Sequence, residues 1–214
     1  MSKAIFKDRE HAGDMLAKCL AGTVDDSTLI VSVPNGGVPI AKRIREKFQL
    51  PLYLILSKKI PLSNITCIGL GAISEHFNVY NAERVNYLRL PTELLQECKY
   101  AAANTVETRK KALSHFIVTP EILKNKNVIL VDDGIASGYT VIAAIRELQY
   151  LHAGNIVVAT PVITTSAKNQ IEKMVNKVQY CYMSDAEKFV VDDFYESFTK
   201  LTHEDVIDIF KKAM

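Results

Sequence analysis

The stretch VILVDDGIASGYT, Val128 to Thr140, decides how this 214-residue chain folds. Four apolar residues are followed by two adjacent acids, then by small and hydroxyl residues that lead into an amphipathic run, which reads as a strand buried on both faces, a tight loop and a helix. Each part has a physical use. The apolar run anchors the strand in a sheet core, so that Asp132 and Asp133 emerge at its carboxyl end, where carboxylates accept hydrogen bonds from sugar hydroxyls or from metal-bound water. Gly134, Ala136 and Gly138 keep the turn small enough for backbone N–H groups to face a ligand, while Ser137 and Thr140 add hydroxyls at a helix N-terminus. Acids on one side and an anion nest on the other describe a site for a phosphorylated sugar.

Working outward, the same strand–loop–helix grammar recurs. Thr28 to Val33 is short and apolar or β-branched, ends at the loop Pro34-Asn35-Gly36-Gly37, and precedes a helix over 38–48 and a second buried strand over 52–56. This is the βαβ unit of a parallel sheet. An opening helix follows Asp8, a good N-cap, with Ala12, Met15, Leu16, Cys19 and Leu20 at helical spacing. Between Lys58 and Thr92 the apolar pieces shorten, which predicts an antiparallel hairpin excursion that is mobile. A long helix is expected from a Thr92 cap to about His115, strands at 127–131, 156–160 and 178–183, and helices at 139–152, from about Ser166, and over 202–212. Alternating buried strands and helices predict a doubly wound α/β fold with a mainly parallel sheet, in which ligands bind where the carboxyl ends of the strands meet the loops. One domain over 1–214 is expected, with its core at 28–165, a flexible region at 58–90, and a small hood or flanking elements at 1–27 and 178–214.

Composition narrows the function classes. Lysine and arginine number 26 against 24 acids, so no global basic excess points to a nucleic-acid partner. Charges at Lys7, Asp8, Arg9 and Glu10 interrupt any secretory signal, and no stretch reaches the roughly 18 apolar residues of a membrane span, so a soluble cytoplasmic protein without a membrane partner is expected. Cys19, Cys67, Cys98 and Cys181 lie too far apart for a zinc ribbon or a disulfide scaffold. The five histidines show no metal-ligand spacing. On spacing alone, the 128–140 segment also suits a phosphatase of the haloacid dehalogenase type, a receiver domain or an ordinary βα turn. A receiver carries its acids near the first strand, and a Walker loop needs Gly-Lys-Ser/Thr, so neither of those two fits well.

The sequence resembles the type I phosphoribosyltransferases, and within them a prokaryotic, largely uncharacterised group. The resemblance rests on Phe6-x-Asp8-Arg9-x-x-Ala12-Gly13, Pro34-x-Gly36-Gly37-Val38, Lys58-Lys59, Gly71-Ala72-Ile73, Asp132 to Thr140, and Val158-Ala159-Thr160-Pro161, in order over nearly the whole chain. It implies that Asp132 and Asp133 bind the ribose hydroxyls of phosphoribosyl pyrophosphate, and that Gly134, Ile135, Ala136, Ser137, Gly138, Tyr139 and Thr140 hold its 5-phosphate. Asn35, Gly36 and Gly37 would hold the pyrophosphate, and Lys58 and Lys59 would act on the leaving group. Mg²⁺ is implied as a cofactor held by substrate oxygens and water near the acids, with no direct protein ligand. The implied reaction transfers the phosphoribosyl group to a nitrogen acceptor, such as a nucleobase, with release of pyrophosphate; a homodimer is implied by the resemblance alone.

Two departures matter. Relatives often carry arginine where Asn35 stands, and an Asn-Pro-Glu-like element where Ile65, Thr66 and Cys67 stand, which removes a cation and a carboxylate. A non-catalytic sensor of phosphoribosyl pyrophosphate, or a phosphosugar phosphatase or binding protein, therefore stays open beside the transferase. Phe189, Phe194 and Tyr195 are candidates for base stacking or for packing. Arg109 on the long helix could reach the site, but beside Lys110 and Lys111 it reads first as a solvated face.

Overall fold

The computed structural model describes residues 4–62, 65–186 and 188–213, and for 65–68 and 213 the backbone alone. In chain order the elements are α1 (Arg9–Cys19), β1 (Thr28–Ser32), α2 (Gly37–Phe48), β2 (Leu52–Leu54), β3 (Ser57–Leu62), β4 (Ile65–Ser74), β5 (Asn78–Tyr80), α3 (Ala82–Tyr87), α4 (Thr92–Leu113), α5 (Pro120–Leu123), β6 (Asn127–Val131), α6 (Tyr139–Tyr150), β7 (Ile156–Thr164), α7 (Thr165–Ile171), β8 (Lys177–Ser184) and α8 (His203–Ala213). The main sheet has the order β2-β1-β6-β7-β8, and every neighbouring pair is parallel.

Alternation along the central strands sends side chains into two separate cores, as the pleat requires. Leu29 and Val31 of β1, with Val128 and Leu130 of β6, pack with Ile142, Ile145 and Leu148 of α6. Ile30, Ile129 and Val131 point the other way, into a core shared with Leu16 of α1, Ile40 and Ile44 of α2, and Val206 and Phe210 of α8. Burying a Leu or Ile side chain contributes about 1.5–3 kcal/mol, so both faces of the sheet are firmly covered. The protein is a doubly wound α/β fold.

The excursion after β2 is a small sheet of its own, ordered β3-β4-β5 and antiparallel throughout. It packs on α4 through Ile60, Leu70, Cys98, Ala102 and Val106. Ser63 and Asn64, within the region expected to be flexible, lie outside the described residues, as do the side chains of Ile65, Thr66 and Cys67.

Three local readings differ from the sequence expectation. Strand β7 runs on to Thr164, past Pro161: its pairing with β6 ends at Ala159, and on the β8 side the register passes from Thr160 to Val162, so the missing proline N–H interrupts no ladder bond. Helix α4 starts at Thr92, but its N-cap is Pro91 and no side chain caps it. The short α3 and α5, of six and four residues, carry too little periodicity to be read in advance.

The C-terminal segment lies against the N-terminal one. The amides of Ile5 and Phe6 donate to the Phe194 carbonyl, and those of Glu196 and Ser197 donate to Phe6 and Lys7. Phe6, Ala12, Val162 and Tyr195 form a small buried cluster there. From this anchor, residues 195–202 continue as a strap toward the loops at the carboxyl edge of the main sheet, reaching Arg9 and Asn35 by hydrogen bonds. Among the described residues, no helix is long and apolar enough to cross a membrane.

Candidate functional site

Strand order locates the site before any side chain is considered. The chain runs outward from β1 to β2 on one side, whereas β6 lies on the other side of β1, so connections leave these two neighbours in opposite directions. A crevice opens at such a switch point, outside the carboxyl ends of the strands. Its walls are the two loops singled out by sequence, 34–37 after β1 and 132–138 after β6.

These loops touch. A methyl group on Gly36 would lie 1.9 Å from Asp133 Oδ2, and one on Gly37 would lie 2.7 Å from the Val131 carbonyl oxygen. Only glycine permits this approach, which explains the Gly-Gly pair in steric terms. The Pro34–Asn35 peptide is cis. At the far end of the second loop, Gly138 takes φ +79° and α6 begins without a side-chain cap, leaving its first-turn amides without the usual side-chain acceptor. Ala136 and Ser137 are exposed there, and Thr164 Oγ1 donates to the Ala136 carbonyl at 2.7 Å. Tyr139 and Thr140 form the first turn of α6, while Ile135 is buried and bridges to Ile163 as part of the core.

The acids sit in a low-dielectric setting. Asp132 Oδ1 accepts from the Asp133 amide at 2.9 Å, and Asp133 Oδ2 accepts from Arg9 Nε at 2.9 Å. Burial and the neighbouring Asp133 push the Asp132 carboxyl well above its ordinary range. Burial also pushes Asp133 up, against the pull of Arg9. Tyr195 donates its hydroxyl to the Asp133 carbonyl, and burial raises its own ionisation well above that of a free phenol.

Cations gather on the other wall. Arg109 of α4 donates from Nη1 to the Pro34 carbonyl at 3.1 Å, and its buried Nε has no partner among the described residues. Burial pushes its ionisation down. Lys58 is likewise pushed down, first by burial and then by repulsion from Arg109, Lys59 and Lys200. Asn35 donates to the Leu201 carbonyl at 2.8 Å, but its buried Oδ1 lacks a partner among the described residues. Arg109 thus touches the Pro34 end of the 34–37 loop, and Lys58 lies within electrostatic reach of Arg109, Lys59 and Lys200. Such a gathering of cations attracts anions.

Lys58 and Lys59 point to different faces, because they are consecutive in a strand. Lys58 belongs to the cation cluster, whereas Lys59 lines a cavity of about 610 Å³ that also meets Ala136, Ser137, Tyr139, Arg84 and Phe189. Of the aromatics considered for stacking, Phe189 reaches this cavity, Phe194 packs on it at 5.0 Å between ring centroids, and Tyr195 is buried against Phe6.

Sequence reading missed Arg9 and Lys200 as site residues, considered Tyr195 only for stacking or packing, and read Arg109 first as part of a solvated face. A signal for Arg109 existed: Ala102, Val106 and Leu113 mark the buried stripe of α4, and Arg109 falls on it, three residues beyond Val106 and four before Leu113. For Arg9 the signal was its place in the Phe6–Gly13 motif.

Comparison with known proteins bears on the family and the fold. The phosphoribosyl transferase domain family matches residues 79–197, more than half of the chain. The chain is 26% identical over 211 residues to a Mycobacterium tuberculosis protein that bears the name "Putative phosphoribosyl transferase Rv0571c", covering 98% of this chain and 47% of that protein. It thus spans about half the length of the curated relatives it matches. Among solved structures, TT1426 from Thermus thermophilus is similar with a TM-score of 0.70 at 24% identity, covering 97% of this chain and 98% of the other. A hypothetical protein from Neisseria gonorrhoeae, solved with bound ppGpp, is similar with a TM-score of 0.50 at 17% identity, covering 86% and 85%. These two likenesses bear on the fold alone.

Proposed function

The chain belongs to the phosphoribosyl transferase domain family, and on that premise we propose that it binds phosphoribosyl pyrophosphate across the β1–β6 crevice and transfers the phosphoribosyl group to a nitrogen acceptor such as a nucleobase. The observation that carries this reading is the gathering of Lys58, Arg109 and Lys200, of which Arg109 donates to the Pro34 carbonyl at the start of the glycine loop. It faces an acid pair and an uncapped helix start across one crevice, the charge pattern of a ligand with a diphosphate at one end, hydroxyls in the middle and a phosphate at the other.

In this reading the 5-phosphate rests on the amides and hydroxyls of Ala136 to Thr140, since the buried Ile135 spends its amide on the Val162 carbonyl and does not serve as expected, and the ribose hydroxyls donate to Asp132 and Asp133. The acceptor nitrogen forms a bond to the anomeric carbon as the bond from that carbon to the diphosphate oxygen breaks, and the electron pair leaves with pyrophosphate. Negative charge grows on the leaving group, so Lys58, Arg109, Lys200 and the amides of Asn35 and Gly36 bind the transition state more tightly than the ground state, the Gly37 amide being held by the Val33 carbonyl. Desolvation has already weakened the hydration of Lys58 and Arg109, which leaves their fields unscreened for the diphosphate. The strap and the β3–β5 sheet flank the crevice and limit access of water, the competing nucleophile. Mg²⁺ near Asp132 and Asp133, held by the donor and by water, would supply further charge neutralisation.

The test is calorimetric titration with phosphoribosyl pyrophosphate and Mg²⁺, followed by pyrophosphate release over a panel of purines, pyrimidines and small amines. Binding is expected to weaken about tenfold or more, roughly 1.4 kcal/mol, in Asp133→Asn and Thr140→Val. Binding without acceptor-dependent release would favour a sensor; no binding would overturn the reading.

A further inference from the structure

The Phe6–Gly13 motif has no place in the chemistry above, yet its side chains reach the crevice. Asp8 caps α1 through the His11 amide, Ala12 and Gly13 are buried, and Phe6 is buried against Tyr195. These contacts fix the first turn of α1, and with it Arg9. The Arg9 side chain is 10% exposed. Its Nε donates to Asp133 Oδ2 at 2.9 Å, its Nη1 donates to the Thr199 carbonyl at 2.7 Å, and its guanidinium carbon lies 3.7 Å from the centroid of the Phe198 ring. One planar group is therefore gripped by the ribose-binding acid, by the strap backbone and by an aromatic face, a use for which arginine is better suited than lysine.

We propose that Arg9 is a positioning residue of the donor site, which holds Asp133 by one carboxylate oxygen so that the acid pair meets the ribose hydroxyls in a fixed orientation, and ties that grip to the C-terminal strap through Thr199 and Phe198. The role rests on the proposed donor reading of the crevice. Arg9 acts through Asp133 and has no part in bond making.

Electrostatics gives this geometry a signature. Asp132 lies beside Asp133, Asp192 adds a further negative charge, and the Tyr195 phenol stays protonated on the Asp133 carbonyl. Against these, Arg9 is the cation that favours the ionised form of both acids. Without its charge the pair holds a proton to higher pH, and a protonated carboxyl has fewer acceptor positions for a sugar hydroxyl.

The experiment uses Arg9→Gln and Arg9→Lys, with Arg43→Gln as control, since Arg43 pairs with Asp14 at the exposed α1–α2 junction. Carboxyl ¹³C resonances are titrated in the unliganded protein, and phosphoribosyl pyrophosphate binding is measured by calorimetry across pH. Arg9→Gln is expected to move the upper titration midpoint of the acid pair up by about one pH unit. It should also weaken donor binding about tenfold at pH 7, a loss that shrinks as pH rises. Arg9→Lys is expected to keep the parent midpoint, and Arg43→Gln to match the parent throughout. A loss of equal size at every pH, or an unmoved carboxyl titration beside normal binding by the parent protein, would overturn the role alone. Failure of the parent protein to bind the donor would overturn the proposed function, and this role with it.

Discussion

The two ends of the main sheet carry similar equipment in opposite electrostatic states. At the amino end, a cavity of about 480 Å³ is lined by Asp25, Asp26, Thr28, Phe48, Tyr53 and Lys126. Asp25 there accepts from the Ser27 amide at 2.9 Å, Ser27 Oγ at 2.6 Å, Thr28 Oγ1 at 2.8 Å and Asn127 Nδ2 at 2.9 Å. Those bonds hold its carboxyl down at about 2. At the carboxyl end, the acids are pushed up, the cations are pushed down, and Arg109 Nε and Asn35 Oδ1 are buried without partners among the described residues. Cavity size does not separate the two ends. The state of the polar groups does: Asp25 is satisfied by its own chain, whereas Arg109 Nε and Asn35 Oδ1 are left over among the described residues.

The strongest way to break this contrast is a matched pair of glycine substitutions. Gly36→Ala would place a methyl group 1.9 Å from an Asp133 oxygen already held by Arg9. Donor binding should fall below detection, with a stability cost of about 1–3 kcal/mol for the overpacking. Gly22, at the amino end, has φ +79° and nothing within 4 Å of an added methyl group. Gly22→Ala should cost about 1–2 kcal/mol from backbone conformation alone and leave binding unchanged. Calorimetric titration and thermal melts of the two variants decide the point, and equal binding losses would erase the distinction.

A smaller effect is expected from Arg109→Met. Pyrophosphate affinity should drop about tenfold, with the difference narrowing as salt is raised. Melting should stay level or rise, because a half-buried guanidinium whose Nε has no partner among the described residues costs the fold stability. A lowered melting temperature with undiminished pyrophosphate affinity would mean that Arg109 serves the fold and not the anion.

The smallest effect belongs to Asp25. Its folded pKa of about 2 lies below its ordinary value of 3.8, so its hydrogen bonds stabilise the fold above about pH 4, and that contribution disappears as pH falls through about 2. Asp25→Asn should melt lower than the parent near neutral pH and lose less stability on acidification, while donor binding is untouched. Acid melts of both proteins would sharpen the comparison, and parallel curves would remove Asp25 from it.

How much of this was legible in the chain depended on range. The strand–loop–helix at 127–150 and the βαβ unit before it follow from local apolar runs and glycine, and both stand in the structure within a few residues. Pro161 misled because a proline usually ends a strand, and its tolerance depends on where the neighbouring strands stop. Lys58 and Lys59 read as one unit, yet the pleat sends one to the cation cluster and the other to a cavity. Arg109 looked solvated because Lys110 and Lys111 follow it, although its helical phase places it on the buried stripe.

By itself, the sequence determined the class of fold and the two loops that form the crevice, because buried strands, tight turns and helix starts are set by residues within a few positions of one another. Only the tertiary structure decided what surrounds those loops. Arg9 and Arg109 reach them from α1 and α4, and charges act through space across distances that no local pattern in the chain records.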